Sequence, residues 1–156
     1  LEREGINFDN NIQSDCADVS SLIQELVNSD VALHCMRDLT RGGLASGLIE
    51  LAGACRHHFE IDENSLLINE DVKSACEILG FDPLYIANEG CFVLFVPAAE
   101  SEKILSVLHQ HALGKQACVI GQVQGAHDKG GVTLETALGV SRVLELFSGE
   151  QLPRIC

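Results

Sequence analysis

The sequence predicts an α+β fold, with helices covering a mainly antiparallel sheet of about four to five strands. Three observations point there. Strand-type alternation and helix-type spacing both occur along the chain, without a strict β-α-β order. A hydrophobic fraction of 46% beside 21% charged residues is that of an ordinary globular domain. Aromatic residues are scarce, with no Trp and one Tyr, so the core has to be Leu, Ile, Val and Ala. At 156 residues the chain is one domain's worth. A chain of that size buries roughly two thirds of its unfolded surface and needs no staples to fold.

Taken in order, Ser14-Asp15 stands as a capping pair ahead of Val19, Leu22, Ile23, Leu26 and Val27, which have helical spacing. Residues 31–36 read as a short strand, residues 38–43 as a turn, and residues 44–55 return to helical spacing through Leu44, Leu48, Leu51 and Ala52. Residues 58–62 alternate and suit a half-exposed strand. Residues 71–79 form a short helix that Gly80 terminates. The strongest strand is 91–96, stopped by Pro97. Residues 100–111 make an amphipathic helix with Ile104, Leu105 and Leu108 inward, ended by Gly114, and 117–123 follow as a strand. Gly130-Gly131 turns the chain into a last strand over 131–135.

A net charge of −13 and a pI near 4.7 oppose binding to nucleic acid or to an anionic membrane, since both need a basic face. No apolar run approaches the roughly 20 residues of a membrane span, and the cytoplasm is the expected compartment. The seven cysteines (Cys16, Cys35, Cys55, Cys76, Cys91, Cys118 and Cys156) include no CxxC pair. Apart from the last, they read most simply as small buried hydrophobes in a reducing compartment.

Two segments carry candidate chemistry. In Asp38-Leu-Thr-Arg-Gly-Gly-Leu44, Thr40 or Asp38 can cap the following helix. Gly42 and Gly43 leave room for a ligand or another backbone. Arg41 and the helix amides could hold a phosphate. The alternative is a capped helix with small packing residues. In Ala87-Asn-Glu-Gly-Cys91, Glu89 stands at the mouth of the most hydrophobic strand. Partial burial would raise its pKa toward that of a useful base, and the alternative is a loop acid facing water. His34, His57, His58, His109, His111 and His127 lack a zinc-ligand spacing, so no structural metal is expected.

Three segments in this order, Arg37-Asp-Leu-Thr-Arg-Gly-Gly-Leu-Ala45, Ala87-Asn-Glu-Gly-Cys-Phe-Val-Leu-Phe-Val-Pro97 and the closing Pro153-Arg-Ile-Cys156, resemble the HypE family of hydrogenase maturation proteins. The first is also similar to the wider superfamily of aminoimidazole ribonucleotide synthetase and selenophosphate synthetase. The resemblance implies an α+β C-terminal domain over residues 1–146 and a flexible tail over 147–156. It also implies a preceding ATP-binding half, which fits an opening that reads as an interdomain connection. The family's nucleotide-binding residues are mostly not in this chain.

The implied activity is that of a carbamoyl dehydratase. A carbamoyl group on the thiol of Cys156 loses water in an ATP-dependent reaction, and the thiocyanate formed donates cyanide to the iron of nickel–iron hydrogenase. Cys156 would be the carrier, Glu89 the base or water-positioning group with Asn88 beside it, and Arg154 a guide for the tail. Asp38, Thr40, Arg41, Gly42 and Gly43 would line the cleft near the phosphates. ATP with Mg2+, the carbamoyltransferase HypF, a HypC–HypD complex as cyanide acceptor and a full-length homodimer are the implied cofactors and partners. The fragment by itself is expected to be inactive. A partner-docking module without catalysis, or another ATP-dependent synthetase of the superfamily, are the competing readings.

Overall fold

A computed structural model describes residues 12–146. The opening residues and the segment 147–156, with Arg154 and Cys156, lie outside the described residues. The elements run α1 (Ser20–Asn28), β1 (Cys35–Leu39), α2 (Gly43–Cys55), β2 (His57–Asp62), α3 (Glu70–Leu79), β3 (Asn88–Phe95), α4 (Ser101–Gln110), β4 (Gly121–Ala126), β5 (Gly131–Glu135) and β6 (Ser141–Leu144). None of the described helices is long and apolar enough to cross a membrane.

The α+β class is as expected, but the strands divide between two sheets. β1 and β3 form an antiparallel ribbon, and the order β4-β2-β5-β6 makes a second sheet in which β2 and β5 run parallel. β6, which the alternation did not reveal, pairs antiparallel with β5 through Val132–Leu144 and Leu134–Arg142. Its four residues are too few for a periodic signal, and only Leu144 among them is buried.

β3 explains the division. Phe92 and Leu94 pack on a core formed by Leu22 and Leu26 of α1 with Ile104 and Leu108 of α4. Val93 and Phe95, on the opposite face, pack on a core formed by Ala45, Leu48 and Ala52 of α2 with Phe59, Ile61, Val132 and Leu134 of the second sheet. A strand buried on both faces reads as a continuous apolar run, which is why 91–96 gave the strongest strand signal.

Several boundaries differ from the expectation. Asp38 and Leu39 belong to β1, not to the turn after it. The 117–123 strand begins only at Gly121, where a Cβ would lie 2.1 Å from the Glu60 carbonyl oxygen, so the close approach of β4 to β2 needs glycine there. α4 stops at Gln110 because His111 is extended, ahead of Gly114. Gly80 does close α3, in the left-handed conformation at φ 70°. Ser14 and Asp15 do not cap α1: Asp18 Oδ1 accepts from Ser20 N at 2.9 Å instead, and hydrogen bonding from the Ser20 side chain first and its amide second holds the Asp18 carboxyl below its ordinary pKa. Among the six described cysteines only Cys76 is buried, while Cys16, Cys55, Cys91 and Cys118 are exposed. A small apolar side chain costs little at a surface, so cysteine type alone does not place it inside.

Candidate functional site

The two chemistry-bearing segments meet across the β1–β3 ribbon. Cys35 to Asp38 pair in sequence with Phe95 to Phe92, but the next residue, Leu39, pairs with Asn88. Glu89, Gly90 and Cys91 therefore have no counterpart in the β1 ladder. Such a bulge turns side chains out of the regular pleat. It opens beside a cavity of about 270 Å³, whose polar wall includes Asp38, Thr40 and Glu89 and whose apolar wall includes Val19, Ile23 and Phe92.

Of the residues read from the sequence, Asp38, Thr40 and Glu89 share this cavity, although Glu89 is exposed and lacks the partial burial considered for it. Asn88 supports it from behind, its Oδ1 accepting from the Gly90 amide at 3.1 Å. Arg41 is exposed and does not line the cavity. Neither Asp38 nor Thr40 caps α2: the N-cap is Gly42, with no side-chain cap hydrogen bond. Gly42 and Gly43 have φ of 70° and 62°, and a Cβ on Gly43 would lie 2.5 Å from the Ile86 carbonyl oxygen and 2.6 Å from that of Leu84. Both glycines are thus required by the chain's own tight turn into α2.

The sequence offers Arg37 and Cys91 no site role, and it offers Asp15 only that of a helix cap. Arg37 is the cation of the cavity wall. Its Nη2 donates to Glu50 Oε2 of α2 at 2.8 Å and its Nε lies 3.7 Å from Asp38 Oδ1. Its position directly before Asp38 in the quoted segment was the available signal. Cys91 lines the cavity, and although the residue is exposed its thiol is held above the usual range by desolvation and by the Asp15 carboxylate, with an Asn88 hydrogen bond pulling the other way. Asp15 reaches the same place from far upstream, its Oδ2 accepting from the Glu89 amide at 3.2 Å. The sequence marked this contact only through Gly90, a glycine at a strand start.

The arrangement can accept protons and hydrogen bonds from a small polar group. It is a poor fit for a nucleotide. The cavity lies below the usual ligand-pocket range of roughly 300–1,000 Å³, two carboxylates face it, and its arginine is already paired. Among the described residues no group of three or more His, Cys, Asp or Glu is placed to hold a metal.

Carbamoyl dehydratase HypE of Rhodobacter capsulatus is 42% identical over 154 residues, covering 99% of this chain and 45% of that protein. The crystal structure of a hydrogenase maturation protein HypE in complex with ATP superimposes with a TM-score of 0.90 at 39% identity, covering 99% of this chain and 47% of that one. The crystal structure of a HypE–HypF complex gives a TM-score of 0.83 at 40% identity, over 92% of this chain and 46% of that one. The chain thus spans a little under half the length of these relatives. Residues 1–133 match the family described as AIR synthase related protein, C-terminal domain, and the chain belongs to that family.

Proposed function

We propose that this chain is the C-terminal half of a HypE-type carbamoyl dehydratase, with residues 12–146 forming the wall that takes protons during dehydration and 147–156 delivering the substrate on Cys156. The observation that carries the reading is the convergence of Asp38, Thr40 and Glu89 on one small cavity through the β1–β3 bulge. The likeness to proteins named carbamoyl dehydratase and to a HypE structure holding ATP supports it.

The chemistry is a loss of water from a thiocarbamate, Cys156–S–C(=O)–NH₂. Amide oxygen is a poor leaving group. In the whole protein ATP is a co-substrate: its terminal phosphoryl group goes to that oxygen, ADP leaves, and the oxygen then departs as phosphate. Both nitrogen protons must go as the C≡N bond forms. Glu89 would accept one and the departing phosphate the other, with Asp38 and Thr40 able to orient the NH₂ group by hydrogen bonds. The products are the thiocyanate, ADP and phosphate. The nucleotide and the Mg2+ that accompanies it are held by the half of the protein that precedes this chain.

The likeness to a HypE–HypF complex supports a HypF-type carbamoyltransferase as the donor. A HypC–HypD pair as cyanide acceptor, a homodimer and a cytoplasmic setting complete the proposal. The test uses the full-length protein with its carbamoyltransferase, carbamoyl phosphate and ATP, read by intact mass. Cys156→Ala should take up no label. Glu89→Gln should accept the carbamoyl group but fail to lose about 18 Da. Labelling of the Cys156→Ala protein, or nitrile formation at the normal rate by Glu89→Gln, would reject the corresponding role.

A further inference from the structure

We propose that Asp15 is a positioning residue for Glu89, fixing the backbone of the proton acceptor at the edge of the cavity. The proposal rests on the assignment of Glu89 above. The segment ahead of α1 crosses the start of β3 as a strap. There Asp15 Oδ2 accepts from the Glu89 amide at 3.2 Å. One residue further, Gly90 lies so close beneath the strap that a Cβ would sit 1.8 Å from the Asp15 carbonyl oxygen and 3.2 Å from the Ala17 nitrogen.

The physical reason lies in the bulge. Residues 89–91 have no counterpart on β1, so their amides need partners from elsewhere. Two side chains supply them on successive residues: Asp15 for Glu89, and Asn88 for Gly90 at 3.1 Å. With both amides held, the backbone of Glu89 is fixed at the edge of the cavity that it lines with Asp38 and Thr40. Asp15 has no part in starting α1, where Asp18 contacts the first amide. It lies outside both hydrophobic cores. Its carboxylate accepts from the Glu89 amide and also faces the Cys91 thiol beside it.

The experiment follows the dehydration step in the full-length protein, in a single turnover of the carbamoylated form with ATP. Asp15→Ala should slow thiocyanate formation by about 10- to 100-fold, with carbamoylation and the half-saturating ATP concentration unchanged. Asp15→Asn retains an acceptor oxygen and should recover to within a few-fold of the parent rate. Added to Glu89→Gln, Asp15→Ala should not lower the residual rate further, because the two act through one group. Should Asp15→Ala not fold, Asp15→Ser, whose hydroxyl is shorter in reach, carries the reading: a slowed step supports the role and a parent rate overturns it. A parent rate in Asp15→Ala beside an inactive Glu89→Gln sinks the positioning role and leaves Glu89 standing. A parent rate in Glu89→Gln sinks both. A loss that Asp15→Asn does not restore, or that adds to that of Glu89→Gln, reassigns Asp15 to general stability and rejects the proposal.

Discussion

Phe59 and Phe95 face each other with ring centroids 5.0 Å apart and planes tilted at 43°. The contact joins the centre of the four-stranded sheet to the far end of the strand that begins at Asn88 and Glu89. Offset, tilted pairs of this kind add to the burial of the rings. Position of the β3 bulge therefore depends on a core residue well away from it.

Phe59 is only 3% exposed. Phe59→Ala should lower unfolding free energy by about 3–5 kcal/mol. Phe59→Leu, which keeps most of the volume, should cost about 1.5 kcal/mol or less. Urea denaturation followed by circular dichroism reads both, and equal costs for the two would contradict the packing described.

Neither glycine ahead of α2 should tolerate alanine. Both have positive φ, and a Cβ at Gly42 meets Oγ and Cβ of Ser46, of which only the hydroxyl can rotate away, while at Gly43 it meets two backbone carbonyls. Gly42→Ala and Gly43→Ala are each expected to destabilise by at least about 2 kcal/mol, from backbone strain and the close contact together. Thermal melts of the two variants check this, and a melting temperature equal to the parent's in either would contradict the turn described.

The thiol of Cys91 should be slow to react at neutral pH. Desolvation comes first and the Asp15 carboxylate second, and both favour the protonated form, so the thiolate fraction is small until the pH passes the ordinary thiol range. Its alkylation rate, resolved by peptide mass spectrometry, should level off at a higher pH than that of an unperturbed thiol such as glutathione followed alongside. A rate already level at neutral pH would contradict this environment.

Much of the fold was legible in the chain because it rests on local chemistry. Leu22 and Leu26 sit at helical spacing and are the buried residues of α1, Gly80 closes α3, and the unbroken run from Cys91 to Val96 announced a strand covered on both sides. The errors cluster where long-range pairing overrides local preference. Asp38 stands before two glycines and looks like turn, yet pairing with Phe92 draws it into β1. Asp15 looks like a helix cap, yet a backbone 74 residues away takes its carboxylate. Gly42 and Gly43 left open a ligand beside the simpler need of the chain itself, and the carbonyls of Leu84 and Ile86 fill the space against Gly43.

Local propensity, hydrophobic period and short motifs act within a few residues of themselves, which is why the chain alone carried its class, its helices, its main strand and its family resemblance. Which acids share a cavity, and which of them only holds another in place, depends on a register shift between strands about fifty residues apart and on a crossing segment further upstream. Those contacts form only when two hydrophobic cores close on the opposite faces of β3, and no neighbouring residue encodes them.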